Sequence, residues 1–179
     1  MQNKDNWVWP DDYIRRGDGI ILLPVPRMDY DIAKDAYFRT KDNGLLNYIF
    51  EGDISQDRFM DYYNEKNGNY TVLLFVDNQF SGYAWLNNLH GKRAFLHYCF
   101  FKEIWGIRTL DSARRIIDYW LHIPNGNEYL LDVLVGVTPV TNRKAIKFIK
   151  AVGSTIIGSI PFMTPDGDGV ISYTVRKNG

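Results

Sequence analysis

Three consecutive residues, His97, Tyr98 and Cys99, set an imidazole, a phenol and a thiol side by side near the middle of a 179-residue chain. The imidazole titrates near neutral pH and can accept a proton, or it can serve as a core histidine bonded to a neighbour. Tyr98 points to the opposite face of a strand from His97 and can donate a proton or simply pack. Cys99 has no basic partner in sequence view and reads as a small buried hydrophobe. Downstream, Gly106-Ile107-Arg108-Thr109 opens a helical pattern. Backbone N–H groups at such a terminus lack internal partners and favour phosphate. Arg108 can pair with an anion or fill its place, and Thr109 can cap the helix. Lys144, Lys147 and Lys150 form a basic edge, either a solvated face or a seat for an acidic group.

Other chemistries fit poorly. His90, His97 and His122 lack metal-ligand spacing, and one cysteine builds no zinc site, so no metal is expected. Asp166-Gly167-Asp168-Gly169 lacks the remaining ligands of a calcium loop and reads as a turn. With 21 basic and 21 acidic side chains and no long basic run, nucleic acid is not an expected partner. The apolar runs Ile20 to Val25 and Val133 to Val137 are strand-sized, and no membrane span or signal peptide is expected. The lone cysteine fits a reducing compartment, so a cytoplasmic location is expected. Aromatic residues make up 15% of the chain, so large rings must fill a core or line a groove; Trp7, Trp9, Tyr13 and Trp105 are candidates for a contact surface.

The length suits a single domain, 1–179, with an irregular opening segment 1–18. Gly19 to Val25 reads as a strand. Ile32, Ala36 and Tyr37 fit a helix entered through Asp29 or Asp31, and Leu45 to Phe50 a short helical stretch. Ser55 starts another helix, which Asn67-Gly68-Asn69 stops. Tyr70 to Val76, Phe80 to Leu86 and Arg93 to Phe101 form a meander with turns at Asp77-Asn78 and His90-Gly91-Lys92. Leu110, Ala113, Ile117, Trp120 and Leu121 mark the clearest helix. Tyr129 to Val137 is a further strand. Asn142 to Val152 is a helix with Ala145, Ile149 and Val152 inward and Gly153 at its end. Thr155 to Ile160 and Gly169 to Val175 are the last strands, separated by the turn 164–168. The crossover from Arg93 to Val137 demands one parallel pair. The expected fold is therefore α/β (α+β): a mixed, mostly antiparallel sheet with helices on both faces.

Over roughly Gly19 to Lys177 this order resembles the GNAT N-acetyltransferase superfamily. The strand–loop–helix from Arg93 to His122 is similar to the family's acyl-CoA pyrophosphate motif. Asn142 and Ala145 sit at its N-x-x-A spacing, and Ser159-Ile160-Pro161 is similar to its sixth strand. The aromatic richness is similar to that of GNAT-like proteins of tailed phages and prophages.

The resemblance implies a parallel strand pair, Arg93 to Phe101 and Leu130 to Val137, that splays apart to admit a pantetheine arm. It implies acetyl-CoA as cosubstrate and an amine as acceptor. The main chain of Phe100, Phe101 and Lys102 would pair with the pantetheine amides. Gly106, Ile107, Arg108 and Thr109 would meet the pyrophosphate, with Asn142 in the second motif and the lysine edge beside an adenosine 3′-phosphate. His97 and Tyr98 would carry proton transfer as base and acid. This chain departs from the family in places. The loop Q/R-x-x-G-x-G/A is matched only at Gly106, with Glu103 and Arg108 at the other two positions. Phe148 and Ile149 occupy the helical stretch where the family carries its acidic tyrosine. Two readings follow: an acyl-CoA-dependent N-acetyltransferase, or a non-catalytic GNAT-fold module binding protein partners, for example incorporated in a phage particle. An open slot would favour the first; one plugged by Phe100, Trp105 or Arg108 would favour the second.

Overall fold

A computed structural model describes residues 18–25, 30–50, 54–63, 70–165 and 167–176. Trp7, Trp9, Tyr13, Asp29, the stop at Asn67 to Asn69 and Asp166 lie outside the described residues. The chain runs β1 (Ile20–Val25), α1 (Tyr30–Asp42), α2 (Leu46–Ile49), α3 (Gln56–Tyr62), β2 (Tyr70–Val76), β3 (Gln79–His90) and β4 (Arg93–Phe100). A 3-10 turn (Lys102–Ile104) leads to α4 (Ile107–Leu121). Then follow β5 (Pro124–Asn125), β6 (Glu128–Tyr129), β7 (Val133–Pro139), α5 (Arg143–Ala151), β8 (Thr155–Thr164) and β9 (Gly167–Val175).

Local chemistry explains most boundaries. Ser55 caps α3 by accepting the Arg58 N–H at 3.3 Å. Asp77 and Asn78 both take positive φ, 51° and 65°, the two-residue turn whose twist suits a hairpin. Among the described residues seven strands form one sheet in the order β1-β2-β3-β4-β7-β9-β8, and only β4 and β7 run parallel. The fold is the mixed, mostly antiparallel sheet the pattern predicts.

Two apolar cores result. One joins α4 to the sheet through Ile116, Trp120, Leu74, Leu86 and Leu96. The other packs α1 to α3 against Tyr83, Trp85 and Phe101 on the opposite face. Because side chains alternate along a strand, β4 contributes Leu96 and Phe100 to the first core and Cys99 to the second, where Phe101 follows it.

Three expectations are corrected. The strand expected at Tyr129 begins at Val133, because Pro124–Asn125 and Glu128–Tyr129 turn back on each other about Gly126 as a separate two-stranded hairpin. The strand expected to end at Ile160 runs on to Thr164, where it meets Gly167. No residue within Arg143–Ala151 is fully buried, although the helix is strongly amphipathic, and Val152 just beyond it is. Phe148 of α5 lies against Tyr98 and Phe100, over a part of the sheet where β4 and β7 have separated.

Candidate functional site

The parallel pair is joined over only three residues, Arg93, Ala94 and Phe95 against Val133, Leu134 and Val135. Beyond them each strand keeps its outer partner. β4 stays on β3 as far as Phe100 opposite Gly82, and β7 stays on β9 as far as Pro139 opposite Gly169. The inner edges therefore part into a V-shaped slot. Backbone groups along an opened edge need partners from water or a ligand.

Register tells which groups those are. Phe101 N–H donates to the Ser81 carbonyl at 3.0 Å, so residues 101, 99 and 97 turn their peptide groups toward β3. Tyr98 and Phe100 then turn theirs toward the slot. Lys102 N–H is engaged elsewhere, by Asn43 Oδ1 at 2.9 Å. Of Phe100, Phe101 and Lys102, only Phe100 offers main-chain groups to the slot, and Tyr98 joins it. The Phe100 carbonyl already accepts the Trp105 indole N–H at 3.0 Å, although Trp105 is 53% exposed.

Close approach at this point requires a glycine. A Cβ on Gly82 would stand 2.3 Å from the Cys99 carbonyl oxygen. Gly106, at φ 118° and ψ −138°, is the N-cap of α4, has no side-chain cap, and faces open space. Among the described residues the N–H groups of Ile107, Arg108 and Thr109 have no acceptor, and Ile107 is 78% exposed. Such an open helix terminus suits an anion.

Neither side chain expected to assist there is free to do so. The Arg108 guanidinium reaches both Asp77 carboxylate oxygens, at 2.9 and 3.0 Å, and the Asp18 carbonyl at 2.8 Å. It neither plugs the slot nor projects over the terminus. The Thr109 hydroxyl donates to the Ile104 carbonyl at 2.6 Å. Asn142 caps α5, accepting the Ala145 N–H at 3.1 Å, which is the physical content of the N-x-x-A spacing. Lys144, Lys147 and Lys150 are exposed.

His97 and Tyr98 sit just past the point where the strands part, on opposite faces. The His97 ring stacks on Trp85, its cross-strand partner, with centroids 4.9 Å apart and planes 11° apart. Its Nε2 meets Asn87 Oδ1 at 3.1 Å. Burial lowers its pKa to about 4, so the imidazole is neutral at physiological pH. Tyr98 stacks on Phe100 and meets the edge of Phe148, centroids 5.3 and 6.1 Å away. Burial raises its pKa, and its hydroxyl bonds no other described residue. The phenol on β4 thus lies beside the α5 ring that replaces the expected tyrosine. Cys99 is buried near Thr40 and Tyr83, and burial pushes its thiol up to about 12.

The partners of His97 escaped sequence reasoning. Tyr62 Oη accepts both Trp85 Nε1–H, at 3.3 Å, and Asn87 Nδ2–H, at 3.4 Å. A signal existed in the hairpin count, but a bulge between Asn87 and His90 displaces it by one residue. Counting back from the turn would seat His97 opposite Leu86 rather than Trp85.

No protein-family model matches the chain, and no curated protein matches it in sequence. Solved structures do match. An acetyl transferase from Salmonella typhimurium that modifies the N-terminal serine of 50S ribosomal subunit protein L7/L12 superposes with a TM-score of 0.74 at 12% identity. That match covers 92% of this chain and 99% of that one. A GNAT-family acetyltransferase from Bacillus anthracis gives 0.69 at 14% identity, covering 89% and 96%. Spermidine N-acetyltransferase from Vibrio cholerae, in complex with CoA and spermine, gives 0.70 at 16% identity, covering 88% and 95%. At these identities the likeness is one of fold, and the fold is that of the GNAT acetyltransferases.

Proposed function

We propose that this chain is an acyl-CoA-dependent N-acyltransferase, with acetyl-CoA as cosubstrate and an amine as acceptor, acting in the cytoplasm. The observation that carries the reading is the V-shaped opening of β4 and β7 beside the uncapped, open N-terminus of α4. Matched structures support it: one holds CoA and spermine, and another belongs to an enzyme that modifies an N-terminal serine.

In this reading the main-chain N–H groups of Ile107, Arg108 and Thr109 hold the pyrophosphate. Arg108 contributes its amide, while its guanidinium fastens α4 to the β2–β3 turn. The Tyr98 and Phe100 peptide groups bind the pantetheine amides, and Trp105 releases the Phe100 carbonyl as they arrive. The amine nitrogen attacks the thioester carbonyl carbon from the His97 side. Once the C–N bond forms, that nitrogen becomes far more acidic than a free ammonium, so even a weakly basic imidazole can take its proton. The C–S bond then breaks, and the departing sulfur takes the Tyr98 proton. Proton exchange with solvent restores both side chains, leaving an amide and free CoA.

Calorimetric titration with acetyl-CoA tests the reading. Saturable heat with a rise in melting temperature is expected; neither at high micromolar concentration would sink it. That negative outcome, with co-purification in a large assembly, is what the rival non-catalytic phage module predicts. Among the described residues no helix is long and apolar enough to cross a membrane.

A further inference from the structure

We propose that Asn87 is a positioning residue that holds His97 in the tautomer protonated on Nε2, so that Nδ1 carries the lone pair presented to the acceptor amine. The use made of that lone pair rests on the acyl-transfer reading above; the tautomer itself does not.

The inference starts from a group whose polarity is unambiguous. An indole N–H can only donate, and Trp85 Nε1 points at Tyr62 Oη, 3.3 Å away. Tyr62 Oη is therefore an acceptor at that contact. Asn87 turns its amide nitrogen to the same oxygen at 3.4 Å. The amide is placed with this nitrogen on Tyr62 and its other end, the carbonyl oxygen, facing His97 Nε2 at 3.1 Å, so that each of its polar ends has a partner. In that orientation the carbonyl oxygen can only accept, which puts the hydrogen on Nε2. The imidazole is neutral in this half-buried setting and carries a single N–H proton. Nδ1 is left as the basic atom.

Two further contacts keep the ring in place. Trp85 stacks face to face with it. Tyr62 is the last residue of α3, and its ring packs edge-on against Trp85, 6.2 Å between centroids, and against Phe50, 5.2 Å. The orientation of a β4 side chain is thus set from β3 and from a helix on the acceptor face. An imidazole free to exchange tautomers would present its lone pair only part of the time, and a ring flip would turn it toward Asn87.

The full-length protein labelled with nitrogen-15 gives the test. Long-range proton–nitrogen correlation at pH 7 reports the tautomer of each of the three histidines, and loss of signals in His97→Gln assigns that of His97. The Nε2–H pattern is expected, with averaged tautomers in Asn87→Leu. Asn87→Asp, whose carboxylate also accepts from Nε2 but raises the imidazole pKa, should keep the pattern at a pH where the ring is still neutral. In turnover, Asn87→Leu should lose roughly tenfold or more in kcat at unchanged KM for acetyl-CoA, and Asn87→Asp should recover most of it. An Nδ1–H pattern in the wild type, or an unchanged pattern in Asn87→Leu, overturns the proposal; the wild-type spectrum decides even if Asn87→Leu fails to fold. An Nε2–H pattern in a protein that neither binds nor turns over acetyl-CoA removes the acyl-transfer reading and leaves the tautomer lock. Turnover with an Nδ1–H pattern does the reverse.

Discussion

The half of the sheet formed by β1 to β4 and the arm formed by β7, β9, β8 and α5 are built to different standards. In the first, both faces are covered: Phe59, Tyr63, Tyr83, Trp85, Phe101 and Trp120 are buried almost completely, their rings meeting mostly edge to face. In the second, Ile157, Ile160, Phe162 and Met163 of β8 face solvent, and α5 covers its apolar side only in part. The slot lies on the seam between them. One wall is held by a dense aromatic core, and the other belongs to an arm with far less packing behind it. Under the proposed function, the candidate proton-transfer groups His97 and Tyr98 sit on the tightly packed wall, and the other wall has more freedom to yield to a long, flexible cosubstrate.

The largest expected effect tests the rigid side. Phe59→Ala empties the middle of the α1–α3 core, where the ring is fully buried, and should cost about 3–5 kcal/mol in denaturant unfolding. A loss under about 1 kcal/mol would mean that this half is no better packed than the arm.

His97 supplies the next test. Its pKa is about 4 in the folded protein, against about 6.5 when unfolded. Between those values the unfolded chain binds a proton that the folded chain refuses. Stability is therefore complete above about pH 6.5 and falls as the pH drops toward 4, by up to ~3 kcal/mol from this group. Denaturant unfolding at pH 7 and 4.5 should show the loss in the wild type and its absence in His97→Gln; equal losses in both would show that the ring is not closed in.

Smaller effects probe the seam and the arm. Trp105→Phe frees the Phe100 carbonyl and should tighten acetyl-CoA binding roughly two- to tenfold, the worth of one net hydrogen bond. Weaker binding would instead make the indole part of the ligand site. Ile157→Ser, at a position 68% exposed, should change stability by less than about 0.5 kcal/mol. A larger loss would show that β8 is covered in solution.

Legibility in the sequence followed the range of the interaction. Ser55 at the start of α3, Asp77-Asn78 in the hairpin turn, the face of Leu110, Ala113 and Ile117 on α4, and Asn142 at the head of α5 all act within a few residues, and each marks its element. The start of β7 was missed because the apolar Tyr129-Leu130-Leu131 reads as part of the strand it precedes, although Tyr129 pairs back on Pro124 in the β5–β6 hairpin. The candidate site was less legible. His97 and Tyr98 are visible as types, and α4's terminus as a glycine before a helix, but Tyr62, Asn87, Trp85 and Asp77 are partners only across strands.

Periodicity, turn residues and the one obligatory crossover were enough, without coordinates, to determine a mixed sheet with a single parallel pair and helices on both faces. These features repeat the geometry of helix and strand within a short stretch of chain, so the amino-acid order expresses them directly. Only the tertiary structure decided where β4 and β7 part, that Arg108 turns to Asp77 rather than to the helix terminus, and which nitrogen of His97 faces Asn87. Each of those depends on register between segments far apart in the chain, and a single bulge near Asn87 shifts that register by a residue.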